Sequence, residues 1–365
     1  MKLTIKAKLA AVFAAVVALS GVSMFVAVEN LGTLNASMEN IVRGPMDRAT
    51  RLQNMQKDLS DISNALQTMI ASTDELEMRQ SQAQIRARYQ DIRADGQKLE
   101  GEFSLQANRQ DMGVFLSTLE QYWDASRMAQ SETLKNTDLK AFEVSTTAGS
   151  EAIGKMEASL EKLRAAVAAR VAGGDPTAFD AYSMVAEASL NLSDVFRQQR
   201  NVLLAGNMSV AKQTEWSKDY KASLAKLDGR MTGLGKVLAP SETVLFKSVQ
   251  NDLVQLTAAM NKAVAISEGH SNINAGAIVA DKVVPVTAEA VKILDKIVER
   301  NSQLVENELG SSTALYASSR FLLLGLLVGS VLIAAVAATW IIVSIGRGLR
   351  SAIGLARAVA GGDLN

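Results

Sequence analysis

Cysteine is absent from the 365 residues, which excludes a disulfide scaffold and any thiolate metal site. Histidine occurs once, His270 in a Gly-His-Ser-Asn stretch, and reads as a solvated turn residue rather than a ligand or base. Four prolines and 5% aromatic residues, with little β-branched alternation, leave little from which to build sheet. Lys plus Arg and Asp plus Glu balance at 38 each, so there is no basic field of the kind nucleic acid needs, and no nucleic-acid partner is expected. A P-loop-like stretch, Gly149-Ser150-Glu151-Ala152-Ile153-Gly154-Lys155, fails on two grounds. Met156 replaces the required hydroxyl, and the stretch sits in a helical pattern with no strand before it. No ligand spacing for a metal is found. No catalytic residue, metal or cofactor is expected, and the chain is not read as an enzyme.

Two long apolar runs stand out. Residues 321–345 contain no charge and are bracketed by Arg320 on one side and Arg347 and Arg350 on the other. At about 1.5 Å per residue a helix of that length crosses a hydrocarbon core of about 30 Å with some tilt. Trp340 falls near one end, at the level where an amphipathic indole meets headgroups. Residues 9–28 form the second run, after Lys2, Lys6 and Lys8. They read as a retained helix rather than a cleaved signal, because the run is long and no clear small-x-small site precedes Glu29. The positive-inside bias, with Lys2, Lys6 and Lys8 at one end and Arg347, Arg350 and Arg357 at the other, predicts both termini in the cytoplasm. Residues 29–320 then lie outside the inner membrane. Gly325 and Gly329 give the second crossing a small-xxx-small face that suits close helix approach in a dimer.

The external part is all-helical. Leu52, Met55, Leu59, Ile62, Leu66 and Met69 recur at three and four residues, the stripe of an amphipathic helix. Gly44-Pro45 predicts a kink or restart before it, because proline lacks the amide donor. Further helices are expected from Glu75 to about Phe103, from Arg109 to Lys135, and from an Asn136-Thr137-Asp138 start to Val171. Gly173-Gly174-Asp175-Pro176 closes this set, after which the pattern begins again. Pro176 follows Pro45 by 131 residues, Tyr220 follows Tyr89 and Phe246 follows Phe115 by the same step, and Ser60-Asp61-Ile62 recurs as Ser193-Asp194-Val195. Glu151-Ala152 recurs as Glu289-Ala290 at 138. The pattern is that of a tandem repeat of a four-helix unit.

The predicted layout is a membrane-anchored, elongated helical bundle of two four-helix modules in tandem. It comprises a cytoplasmic start (1–8), a first crossing (9–28), module 1 (29–175), module 2 (176–320), a second crossing (321–345) and a cytoplasmic helix (346–365). Pro285 should bend the last external helix.

The helix after the second crossing closes on Gly361-Gly362-Asp363-Leu364, and it resembles the first helix of a HAMP domain. Gly348 stands where that family usually has proline, which bears on the stiffness of the joint. A crossing, an all-helical external sensor, a second crossing and a HAMP start together resemble the input half of a bacterial methyl-accepting chemotaxis receptor, of the four-helix-bundle and helical bimodular classes. The resemblance implies a homodimer in the inner membrane that binds a small molecule in the periplasm. It also implies that the homodimer acts on a cytoplasmic kinase and adaptor through a C-terminal part beyond Asn365. The same input half also serves sensor histidine kinases and nucleotide cyclases, and a ligand-free helical scaffold is the reading of a different class.

Candidate ligand residues follow from side-chain chemistry. Arg197 and Arg200 lie three apart on one helix, so their guanidinium forks are neighbours and suit a carboxylate. The matched places of the first unit hold uncharged Asn64 and Gln67. Arg43, Arg48 and Arg51 form a second basic strip beside the Gly44-Pro45 kink. Tyr122 with Trp123, and Trp216 with Tyr220, are read as core and helix-packing residues rather than binding aromatics.

Overall fold

The computed structural model describes residues 4–360, and among them there are helices and no strand. Eleven α-helices follow in order: α1 (Ile5–Ile41), α2 (Asp47–Ala71), α3 (Glu75–Glu102), α4 (Gln106–Thr133), α5 (Thr137–Val144) and α6 (Ser150–Ala172), then α7 (Ala178–Gly206), α8 (Val210–Leu234), α9 (Thr243–Ser267), α10 (Ser271–Ile278) and α11 (Val284–Ala360). The Gly361-Gly362-Asp363-Leu364 close lies outside the described residues.

Helix starts follow the residue chemistry. Asp74 accepts from the amides of Leu76 at 2.7 Å and Glu77 at 3.4 Å, and Ser209 accepts from the amide of Lys212 at 3.4 Å. Both satisfy donors that the first turn leaves unpaired. Two of the four prolines lie in or next to π turns. Pro45 sits inside a π turn (Val42–Met46) that joins α1 to α2, and Pro285 lies two residues past another (Val279–Val283) that joins α10 to α11. A wider turn gives the pyrrolidine ring room against the preceding carbonyls, so the chain stays helical where a kink or restart was expected. A third π turn (Ser145–Gly149) joins α5 to α6 with no proline in it.

The chain divides into two compact units, residues 1–53 with 296–365, and residues 54–295. In the first unit, α1 and the C-terminal part of α11 are both long and apolar enough to cross a membrane, and neither apolar window is buried. Near their ends the Lys8 ammonium donates to Ser344 Oγ at 2.9 Å and lies 4.9 Å from the Trp340 ring centroid. The two segments therefore run antiparallel, with the start of α1 beside residues 340–344. A Cβ added at Gly325 or Gly329 would meet nothing within 4 Å, so the small-residue face is not the one packed on α1. In the same unit Asn301, fully buried, donates from Nδ2 to the Pro45 carbonyl at 2.7 Å.

The second unit holds two four-helix bundles, and each takes its fourth helix from the other repeat. In one bundle α3 packs on α4, and α4 packs on α10 and the π turn after it. Gln56 of α2 donates to Asp295 of α11 at 2.7 Å, and Arg88 of α3 pairs with Asp58 of α2 at 3.3 Å. Met55, Leu59, Ile62, Ile85, Ile92, Phe115 and Leu294 are all at most 1% exposed, each contributing about 1.5–3 kcal/mol of burial. A Cβ at Gly96 would lie 2.8 Å from Leu116 Cδ2, so glycine is what lets α3 approach α4 this closely.

In the other bundle α6 packs on α7 and α9, and α7 on α8. Its core runs through Met156, Leu160, Leu163, Leu192, Tyr220 and Met260. The expected division between residues 175 and 176 therefore differs from the packing. Residues 137–267 form one bundle inserted into the other, which is closed by α10 and α11. The physical reason is that α5 with α6 and α10 with α11 carry equivalent apolar faces, and each satisfies the partner bundle.

The repeat itself is real, at a corrected register. Helix caps Asp74 and Ser209 are 135 residues apart, caps Asn136 and His270 are 134 apart, and π turns begin at Ser145 and Val279, again 134 apart. The Tyr89–Tyr220 match at 131 is thus one helical turn out of register, as is the Glu151–Glu289 match at 138. The two inserted-helix starts meet. Asn136 and His270 both adopt left-handed backbone, at φ 47° and 50°. The Thr137 amide then donates to Ser271 Oγ and the Ser271 amide to Thr137 Oγ1, both at 3.1 Å. Each helix caps the other.

Candidate functional site

Of the predicted ligand residues, Arg43, Arg48 and Arg51 belong to the first unit and Arg197 and Arg200 to the second. Arg43 pairs with Glu39 at 3.1 Å and is 80% exposed in its side chain. Arg48 Nε donates to Asn301 Oδ1 at 3.5 Å, and Arg51 pairs with Asp47 at 2.9 Å with its side chain only 13% exposed. The last two thus sit at the π turn around Pro45, where Asn301 bridges to the proline carbonyl. On α7, Arg197 pairs with Asp194 one turn earlier, and Arg200 lies 5.4 Å from the Phe196 ring. Both arginines are exposed, and the buried side of the same helix, at Val195, Gln199 and Val202, faces inward.

The aromatic pairs divide. Tyr122 and Tyr220 are fully buried, and Tyr220 donates to Asn261 Oδ1 at 2.8 Å. Burial pushes both phenols well above their ordinary range. Trp216 packs on the core edge with Lys212 over its ring at 5.2 Å. Trp123 packs between helices as expected, at the edge of the core and also on the lining of a groove. It is half-buried and stacks on Tyr89 with centroids 4.3 Å apart and an interplanar angle of 15°. The pair floors an open groove of about 630 Å³ between α3 and α4, rimmed by Arg86, Arg93 and Arg127. Sequence reasoning passed it over because aromatic residues one and two turns from a core stripe are usually core themselves. The signal that could have found it is three arginines falling on the outer sides of the two helices that carry Tyr89 and Trp123.

A buried polar cluster occupies the junction of the two bundles. Gln213 donates to Ser267 Oγ at 2.8 Å and to the Val202 carbonyl at 3.2 Å, and Ser145 donates to Gln199 Oε1 at 3.0 Å. Asn136 Nδ2 reaches the Thr73 carbonyl at 3.0 Å. Burial raises the Asp138 carboxyl above its ordinary value, and the neighbouring His270 acts in the opposite direction. His270 is therefore half-buried at a helix start beside a carboxyl group, rather than a free turn residue. For an acid whose folded pKa is raised, the stabilising form is the protonated one, so its contribution is present at low pH and lost as pH rises above about 4. Asp138→Asn should flatten that part of the pH–stability profile and leave the protein more stable at pH 7 than the parent, as urea unfolding at several pH values would show. An unchanged slope would remove Asp138 from the account.

Among the described residues no group of three or more His, Cys, Asp or Glu could hold a metal ion. The P-loop-like stretch enters α6 from a π turn, and no strand precedes it.

Residues 2–171 match the family described as four helix bundle sensory module for signal transduction. Over that stretch the chain is similar to the sensory modules of this family. Its matched residues contribute helices to both bundles. Among solved structures, the sensor domain of the V. parahaemolyticus histidine kinase sensor TorS is similar, at 12% identity and a TM-score of 0.40, covering 72% of this chain and 100% of that one. No curated protein matches.

Proposed function

We propose that the chain is the input half of a transmembrane chemoreceptor. It senses a small periplasmic solute of the organic- or amino-acid class and relays occupancy through α11 to a HAMP domain and a cytoplasmic kinase pathway. The observation that carries this reading is the family match over residues 2–171, together with the two apolar segments in α1 and α11. Those segments lie antiparallel, with Lys8 beside Trp340, which fits a hairpin with both termini on one side of the inner membrane. A homodimer is the proposed assembly. Signal transfer is a population shift between two registers of α11, so the solute acts only through its difference in affinity for the two states. Arg197 and Arg200 are the proposed anion contacts, since exposed ion pairs such as Arg197–Asp194 are weak and exchange readily for a ligand carboxylate.

The test is thermal unfolding of the protein in nanodiscs with succinate and amino acids. A dicarboxylate should raise the melting temperature by a few degrees, as saturating ligand contributes about 2.7 kcal/mol at a hundred times Kd. Arg197→Ala with Arg200→Ala should abolish the gain. A gain that survives in the double variant would place the anion elsewhere, and no gain with a broad metabolite panel would favour a ligand-free scaffold.

A further inference from the structure

We infer that the groove between α3 and α4 is a second binding site, for an aromatic carboxylate. The argument starts from what lies at its floor and rim. Tyr89 and Trp123 stack at 4.3 Å. Tyr89 is buried under the partly exposed Trp123, whose remaining indole surface lines the groove and is the kind of face on which a second ring stacks with centroids about 4.5–7 Å away. Three guanidinium groups stand around it, on Arg86, Arg93 and Arg127, along with the side-chain amides of Gln90 and Gln97. A guanidinium fork grips a carboxylate through two parallel hydrogen bonds. The chemistry offered is therefore a ring seat bordered by carboxylate clamps.

Two of the rim arginines are held only in exposed ion pairs. Arg93 reaches Glu120 at 3.6 Å, with the two side chains 49% and 63% exposed, and Arg127 reaches Asp124 at 2.7 Å, at 61% and 68%. Pairs this exposed hold their geometry by about 0–1 kcal/mol, so a ligand carboxylate competes with them readily. Glu120 and Asp124 lie outside the groove lining, and they keep the free groove from being a strong general anion trap. Selectivity then falls to the aromatic floor.

The internal repeat supplies a control. At the register fixed by the helix caps, the other bundle carries Lys221, Leu224 and Asp228 on α8 in place of Arg86, Tyr89 and Arg93. On α9 it carries Thr257 and Asn261 in place of Trp123 and Arg127. That bundle brings α8 and α9 together less closely than α3 and α4, and carries neither the aromatic pair nor the clamps. The three arginines are exposed and take no part in the helix packing, so their presence on one bundle only is what a binding role explains. The site is independent of Arg197 and Arg200, and it rests on the sensory reading only for its biological purpose.

Trp123 reports on its own site. In full-length protein with Trp216→Phe and Trp340→Phe, it is the one indole remaining of three. Benzoate should change its fluorescence saturably, whereas succinate and benzamide, which each keep half of the chemistry, should bind at least about tenfold more weakly. Arg93→Gln with Arg127→Gln should weaken benzoate by about tenfold or more, the loss expected for charge-assisted hydrogen bonds, with the fold unchanged by circular dichroism. Trp123→Thr, the residue the other bundle uses, serves as a folded variant that should lose benzoate binding measured by calorimetry. Benzoate affinity unchanged in either variant, or matched by succinate, overturns the site. Benzoate binding lost in Arg197→Ala with Arg200→Ala, and kept in the groove variants, overturns it too, while leaving the sensory reading intact.

Discussion

Residues 137–267, expressed alone, should fold into a cooperative helical unit, whereas residues 176–320 should not. The shorter fragment contains the whole core of its bundle, from Met156, Leu160, Leu163 and Val167 on α6 to Leu256 and Met260 on α9. The longer one lacks α6 and carries in its place the segment that closes the other bundle. Removing α6 strips four large buried side chains at once. Each such truncation in a core costs about 2–5 kcal/mol, and together they match or exceed the roughly 5–15 kcal/mol by which a domain of this size is usually stable. Urea unfolding followed by far-ultraviolet circular dichroism should show a single sigmoidal transition for 137–267. For 176–320 it should show a shallow, non-cooperative loss of signal. The reverse result would mean that the repeats close on themselves.

Arg170→Met should be the most destabilising single charge deletion in that bundle, at about 3–5 kcal/mol. Glu242 is 3% exposed, accepts from the Ala239 amide at 2.9 Å and faces Arg170 Nε at 3.3 Å. Arg170 also pairs with Asp175 at 3.6 Å and reaches the Val237 carbonyl at 3.4 Å. Removing the guanidinium leaves a carboxylate buried without its counter-ion, which is where the large cost of breaking buried pairs arises. Arg170→Met with Glu242→Gln should recover much of the loss, because no uncompensated charge then remains. Equal stability of the single and double variants would show that the pair contributes nothing by charge.

Much of the fold was legible from residue spacing. The three-and-four stripe on α2, the Asn136-Thr137-Asp138 start and the Gly-Gly-Asp-Pro break each mark an element that forms. The recurrence of the pattern likewise marked a true repeat. What spacing could not convey is which helix closes which bundle. Periodicity identifies a buried face but carries no information about its partner, and α6 and the start of α11 offer similar faces in similar register. The repeat also misled in detail, since tyrosines and phenylalanines recur one turn away from structurally equivalent positions.

The polar features were harder to read. Arg197 and Arg200 were visible because both lie on one helix face. The Arg86, Arg93 and Arg127 rim was not, because it assembles from two helices whose side-by-side register depends on the packing. Asp138 and His270 come together only through the exchange of helix starts, and 132 residues separate them in the chain.

The exchange of fourth helices between repeats can be tested in one experiment, because the chain has no native cysteine. Ser159 on α6 donates to Asp252 on α9 at 2.6 Å, and the sequence-level division would have placed the two residues in separate modules. With Ser159→Cys and Asp252→Cys in the full-length protein, mild oxidation should give an intrachain disulfide, seen as a faster monomer band on a non-reducing gel. A pair of thiols that stays free, while the protein retains its helical spectrum, would contradict the architecture.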